Sequence, residues 1–269
     1  MKNWTGERLE TFVNNKNTID HLHRYAIANN YILDKVVLDI ACGEGYGSNL
    51  MSKNAKFVHG VDIDPETIAN AKIKYVKSNM SFQIGSADNI PIPNASIDVV
   101  VSYETIEHHD KHNEMMLEIK RVLKPNGVLI ISTPDKLFYT DKRNYINEFH
   151  VKELYKNEFF DLVAARFSNI QILKQLFVNG NSVVYPDTNY NLDVYNGDYF
   201  NISSYEVNPL YLIIIASDIP TISQSVSVFD GSKILSANDE KIAQIYKSKS
   251  YIIGNFILKP FKVLKKMLK

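Results

Sequence analysis

Val36-Val-Leu-Asp-Ile-Ala-Cys-Gly-Glu-Gly-Tyr-Gly-Ser48 decides how the rest of the chain is read. The apolar run Val36, Val37, Leu38 and Ile40 predicts a buried strand, and Gly43, Gly45 and Gly47 follow it directly. Glycines at alternate positions let the backbone turn sharply and bring a ligand closer than a Cβ would allow. A helix starting near Ser48 aims its free N–H groups at whatever the turn holds. A dinucleotide site wants G-x-G-x-x-G, but here Ser48 takes the third position and Asp39 lies inside the strand. An acid there suits a ligand amino group and repels a pyrophosphate. The triplet alone reads equally well as a tight strand–helix turn with no ligand.

Downstream residues add to it. Phe57–Asp62 reads as a second strand, and Asp62 follows Gly43 by nineteen residues, where an acid accepts from a ribose diol. Pro65 opens a helix, and Met80–Ile84 reads as a third strand followed by the small polar turn Gly85-Ser-Ala-Asp88. There Asp88 or Ser86 would meet an adenine amino group; an ordinary polar loop reads as well. Ile97–Ser102 is a fourth strand, followed by Tyr103-Glu-Thr-Ile-Glu-His-His-Asp110. A helix through Met115, Met116, Ile119 and Val122, closed by Lys124-Pro-Asn-Gly127, precedes a fifth strand, Val128–Ser132. Such alternation predicts an α/β fold with a mostly parallel, Rossmann-like sheet, helices on both faces and ligands at the carboxyl ends of the strands.

The flanks are less regular. Residues 1–35 read as an irregular lead and a helix capped by Thr18, with Arg24 at its centre as a solvated cation. From Glu148 onward, Phe149-His-Val-Lys-Glu153 is expected to lead into a helix through Phe167, followed by a closing strand pair, Ile170–Val178 and Tyr211–Ser217. The Tyr- and Asn-rich stretch from Tyr185 to Tyr205 is a substrate lid or an irregular insertion, and 221–245 shows no periodicity. Residues 1–220 therefore read as one domain and 221–269 as an extension. Its end, Lys247–Lys269, carries seven lysines and no acid, with Phe261, Leu264 and Leu268 on one helical face. That pattern suits an anionic membrane surface or a partner, and equally a helix docked on its own domain.

Thirty basic residues balance thirty acidic ones, which argues against a nucleic-acid partner. The single cysteine, Cys42, rules out a disulfide framework, and the N-terminus has no apolar stretch of the kind a signal peptide needs. A cytoplasmic protein is expected, with peripheral membrane attachment left to the basic tail.

In order and spacing these segments resemble the class I S-adenosylmethionine-dependent methyltransferases across residues 20–217. Val37–Gly47 resembles their first motif, Gly60-Val-Asp-Ile-Asp64 their ribose motif and Gly85-Ser-Ala-Asp-Asn-Ile-Pro91 their adenine motif. The resemblance implies a seven-stranded sheet whose last strand is antiparallel. It places the cofactor against Asp39, Ala41, Gly43, Gly45, Asp62, Ile63, Ser86, Ala87, Asp88 and Tyr103. Trp4-Thr-Gly-Glu-Arg8, His21-Leu-His-Arg-Tyr25 and Asn147-Glu-Phe-His-Val-Lys-Glu153 resemble bacterial methyltransferases found with surface-polysaccharide enzymes. In that comparison Arg24 pairs with the methionine carboxylate and the lead segment folds over the cofactor.

Methyl transfer from a sulfonium requires an aligned acceptor and a group to take its proton. Glu104, Glu107 and His108 are spaced i, i+3 and i+4, so one helical turn would gather them, with His150 as a second imidazole. The set resembles the metal site of small-RNA and ubiquinone-pathway O-methyltransferases, where magnesium or zinc would gather hydroxyls. The competing reading is metal-free: the Glu of the Glu107-His108 pair caps a helix, and the His is a base or simply lines the pocket. His21, His23, His109 and His112 read as surface or packing residues. The expected function is O-methylation of a sugar hydroxyl or sugar phosphate of a bacterial glycan. Small-molecule methylation in natural-product or quinone metabolism is the alternative, and a non-catalytic membrane-tethered module the reading from another class.

Overall fold

The computed structural model describes residues 8–188, 192–251, 253, 254 and 256, the side chains of 238–243 excepted. Trp4 and the tail residues Phe261, Leu264 and Leu268 lie outside the described residues.

Five strands alternate with helices: β1 (Val36–Ile40), α2 (Tyr46–Met51), β2 (Phe57–Asp62), α3 (Pro65–Lys74), β3 (Met80–Ile84), β4 (Ile97–Tyr103), α4 (His112–Val122) and β5 (Leu123–Pro134). Helix α1 (Lys16–Ala28) precedes them. After them come α5 (Lys156–Ala164), β6 (Asn169–Val178), β7 (Asn181–Pro186), a hairpin of β8 (Val194–Gly197) and β9 (Ile202–Tyr205), then β10 (Tyr211–Ser217), β11 (Ser227–Asp230) and α6 (Ser232–Lys247). The main sheet runs β11-β7-β6-β10-β5-β4-β1-β2-β3. β1 to β5 are mutually parallel where they pair, and β10 lies antiparallel between β5 and β6.

Period-two alternation explains why both faces need helices. Leu38, Val100, Leu129, Ile131 and Ile214 face α4 and α5, where Met115, Met116, Ile119 and Phe159 are fully buried. Val37, Val99, Val101, Ile130 and Ile213 face the other way, against Tyr25, Ile27 and Ala28 of α1 and Met51 of α2. Strands buried on both faces read as continuous apolar runs, as β1, β4 and β10 do.

Several expectations need correction. Asn15, not Thr18, caps α1, and Thr18 closes the capping box from the third helical position. Lys124-Pro-Asn-Gly127 does not end an element: it is a bulge inside β5, where register slips between the Ile97–Leu123 and Val99–Val128 pairs. The stretch Glu148–Glu153 leads into a helix as expected, but that helix runs from Lys156 only to Ala164, short of Phe167; ahead of it Val151 N–H and Lys152 N–H are bonded to the Glu107 carbonyl at 2.8 and 3.0 Å. The sheet has two strands beyond the seven implied. β7 returns from β6 through a tight turn at Asn179-Gly180, both at positive φ, and β11 pairs with β7. The segment set apart as an extension thus begins with a strand of the main sheet.

Gly47 is required by packing rather than by its dihedral angles. A Cβ there would lie 2.0 Å from the Tyr25 hydroxyl, in a ring wedged between Tyr46 and Tyr103. Gly47→Ala is expected to cost about 1–3 kcal/mol through overpacking, seen as a lower midpoint in thermal or urea unfolding.

Candidate functional site

The glycine turn after β1 differs from the sequence reading by one step. Left-handed backbone falls at Ala41 (φ +59°), Gly43 (+53°) and Gly45 (+84°), whereas Gly47 is already inside α2. A non-glycine residue pays about 1–2 kcal/mol for that conformation, and Ala41 holds it at the mouth of the turn. A Cβ built on Gly43 meets nothing within 4 Å, so the space above it is open.

That space belongs to a cavity of about 450 Å³ at the carboxyl ends of β1, β2 and β4. Ala41, Gly43, Asp62, Ile63, Ser86, Ala87, Asp88 and Tyr103 line it. Asp62 ends β2 with one oxygen accepting from Gly43 N–H at 2.9 Å and the other from Asp64 N–H at 3.0 Å. Asp88 accepts from Ser86 and, at 2.6 Å, from Lys111; the Lys111 and then the Ser86 bond hold its carboxyl down at about 2. The lead segment closes one side: Arg8 reaches Asp62 at 3.3 Å and Asp64 at 2.8 Å, and Leu9, Val13, Asn15 and Asn17 join the lining.

Three expected cofactor residues do not line the cavity. Gly45 is covered by the Phe82 ring. Asp39 is buried beneath the turn, where its carboxylate accepts from Ser48 Oγ at 2.6 Å. Burial, with Asp62 nearby, pushes its pKa up to about 7. An acid raised in the folded chain binds its proton more tightly there than when unfolded, so its stabilising effect is present at low pH and lost as pH rises. Between 3.8 and about 7 the loss is about 1.4 kcal/mol per pH unit. The ligand-free chain is therefore expected to melt lower at about pH 8 than at about pH 5, with a shallower fall in Asp39→Asn, measured by calorimetry.

Arg24 is not the solvated cation that its spacing predicts, nor does it face the cavity. It is 1% exposed, donates to Gln175 at 2.7 Å, sits 4.5 Å over the Tyr211 ring and lies 3.1 Å from Glu104 Oε1. The acid it meets is thus the protein's own.

The acceptor end is built on the β4 terminus. Glu104 adopts φ +51°, so 104–108 is not one helical turn; only 106–108 forms a short 3₁₀ turn. Glu104 accepts from Ser132 Oγ at 2.7 Å, pairs with Arg24 and lines the cavity, but it does not join the convergent ligand atoms. The remaining three converge: among the described residues, Glu107, His108 and His150 bring ligand atoms within 4.8 Å of one another. His108 Nδ1 lies 3.0 Å from the Phe149 carbonyl, which can only accept, so Nε2 keeps its lone pair. His150 is held in the same tautomer by Glu153 at 2.5 Å, with Asn147 Nδ2 on its Nε2 at 2.9 Å. Glu107 is buried; its Oε2 accepts from Thr133 at 3.3 Å and its Oε1 has no hydrogen-bond partner. Burial, then the Glu104 charge, raises its pKa well above the usual carboxylate range.

His108 lines the cavity directly, and the His150 ring stands edge-on to it at 5.2 Å. Sequence reasoning missed His21 and His109, both of which line the cavity; His21 bonds the Tyr46 hydroxyl at 3.0 Å and burial keeps it neutral. It also missed Glu153, whose three-residue spacing from His150 was the available signal.

Residues 38–131 match the family model described as a methyltransferase domain. The core of this chain is similar to class I S-adenosylmethionine-dependent methyltransferase domains. A probable S-adenosylmethionine-dependent methyltransferase of Mycolicibacterium smegmatis is 37% identical over 128 residues, 47% of this chain and 49% of its own length. The mitochondrial ubiquinone biosynthesis O-methyltransferase of Schizosaccharomyces pombe is 27% identical over 135 residues, 48% of this chain and 49% of its own. The chain thus spans about half the length of these curated relatives. Among solved structures, a SAM-dependent methyltransferase of Thermotoga maritima superposes with TM-score 0.54 at 17% identity, over 75% of this chain and 90% of that one. The Bacillus subtilis YcgJ protein gives 0.55 at 19% identity over 74% and 100%. Both support the fold. A methyltransferase domain of this class takes S-adenosylmethionine as its donor, and the open turn at Gly43, the acid at Asp62 and the polar turn at Ser86–Asp88 fit that nucleoside. No helix among the described residues is long and apolar enough to cross a membrane.

Proposed function

We propose that this chain is an S-adenosylmethionine-dependent O-methyltransferase whose acceptor is a hydroxyl of a sugar or sugar phosphate in bacterial glycan assembly. One observation carries the reading: His108, its Nδ1 proton fixed by the Phe149 carbonyl, lines the same cavity as the Gly43 turn and Asp62. When bound, the sulfonium supplies an activated methyl group. Asp62 would hold the ribose and the Ser86–Asp88 turn the adenine, while His108 Nε2 takes the proton that the acceptor hydroxyl must lose. His150, held by Glu153, packs behind it and fixes its ring plane. An O-acceptor also accords with the names of two relatives, the ubiquinone O-methyltransferase and a fatty-acid O-methyltransferase of Mycolicibacterium smegmatis. Those same names keep a quinone or lipid acceptor as the alternative to be tested.

A second reading is favoured by the orphaned Glu107 Oε1. A divalent cation on Glu107, His108 and His150, displacing Asn147 from His150 Nε2, would satisfy that oxygen and lower the pKa of a bound hydroxyl. Glu104, also expected as a ligand, is left out because Ser132 and Arg24 hold it. The experiment is to incubate the full chain with methyl-labelled donor and panels of nucleotide sugars, glycans, quinols and fatty acids, with and without chelator. Label in a sugar, unaffected by chelator, supports the first reading, and loss of that label with chelator moves the assignment to the second. Label only in quinols or lipids overturns the sugar acceptor.

A further inference from the structure

Beside the two imidazoles the chain makes a single π-helical turn, Leu137–Asp141, a distortion that often marks functional sites. It sets the Tyr139 ring against His150, 5.5 Å between centroids and 25° between planes. Tyr145 meets Tyr139 edge-on at 5.7 Å, and Tyr211 at 5.8 Å closes the far side. Arg143 lies 5.3 Å over Tyr139 and 5.0 Å over Tyr145. Lys142 sits over Phe138 at 4.6 Å and Lys136 over Tyr155 at 4.8 Å.

Among the described residues these three cations differ from those paired with acids. Lys111, Lys120, Lys124, Lys156 and Lys174 each meet a carboxylate within 3.0 Å. Among the described residues, Lys136, Lys142 and Arg143 meet rings instead, and the adjacent Asp141 accepts from the Tyr155 hydroxyl. An aromatic face orients a cation without cancelling its charge. An orientated guanidinium with its N–H groups uncommitted is the standard partner of a phosphate or carboxylate. From His108 in the cavity the path to Arg143 runs through His150 and Tyr139 in contacts of 5.2, 5.5 and 5.3 Å.

We propose that Lys136–Tyr145 is the acceptor-recognition element, and that Arg143 and Lys142 select an acceptor carrying an anionic group beside its hydroxylated ring. The hydroxylated ring lies beside the imidazoles, and the anion, a phosphate or a carboxylate, meets the cations at the rim. This rests on the methyltransferase reading above and narrows its acceptor to charged sugars.

The test uses full-length protein saturated with S-adenosylhomocysteine, titrated with UDP-glucose, glucuronic acid or the uncharged methyl glucoside. At least one charged ligand is expected to bind about tenfold more tightly than methyl glucoside. Lys142→Ala/Arg143→Ala, at exposed positions, is expected to abolish that preference while S-adenosylhomocysteine affinity stays unchanged. Added salt should weaken the charged ligand selectively. UDP-glucose against glucuronic acid tells phosphate from carboxylate. Equal affinity for charged and uncharged ligands, no binding of any, or a double variant like wild type overturns the inference. Failure of S-adenosylhomocysteine itself to bind is a separate result, and it removes the methyltransferase reading as well.

Discussion

His108→Ala is expected to slow methyl transfer by about a hundredfold to ten-thousandfold, the usual contribution of a positioned general base, while S-adenosylhomocysteine binding changes little. The asymmetry follows from where the residue sits. His108 lies on the short turn after β4, with its ring facing the cavity and its Nδ1 bonded to the Phe149 carbonyl. The nucleoside end is built on other residues, Asp62 and the Ser86–Asp88 turn, and should be intact. The loop that supplies Phe149 is held separately by Val151 and Lys152 N–H bonds to the Glu107 carbonyl, so the variant should keep its backbone. The measurement is single-turnover transfer of labelled methyl on any acceptor found active, paired with an affinity measurement. Unchanged turnover would remove His108 from the chemistry and leave it a wall of the cavity.

Asp62→Ala is expected to weaken S-adenosylhomocysteine by about a hundredfold, since hydrogen bonds to a charged group contribute about 1.5–3 kcal/mol each. Two effects combine. The substitution removes the acceptor for a ribose diol, and it frees Gly43 N–H and Asp64 N–H, which Asp62 now holds at 2.9 and 3.0 Å. Without those bonds the open turn loses its anchor to β2. Asp62→Asn keeps the shape and one acceptor oxygen and should fall between the two. The check is calorimetric titration of all three proteins. Equal affinities would mean that the ribose lies elsewhere.

The parallel half of the fold was legible because its chemistry is local. Apolar runs of strand length, glycines at the β1 turn and acids at strand ends each specify a backbone or a ligand without help from distant residues. The parts misread depend on distant partners. Asp39 has the spacing of a ligand contact, but the turn folds back so that Ser48 Oγ donates to it beneath the cavity. Arg24 meets Gln175 and Glu104, which no local pattern reveals. The Glu104, Glu107, His108 spacing predicted a helical face, yet positive φ at Glu104 breaks the period before it starts. β7 is a different case: Asn179-Gly180 between apolar stretches is a strong hairpin signal, and it was there to be read.

The most direct measurement is a crystal structure of the chain grown with S-adenosylhomocysteine. The account predicts the nucleoside in the cavity, its ribose on Asp62 in place of Arg8, its adenine beside Ser86–Asp88 and its sulfur toward the His108 end. Density for the ligand elsewhere, or a cavity still closed by Arg8 on Asp62 at saturating ligand, would contradict it.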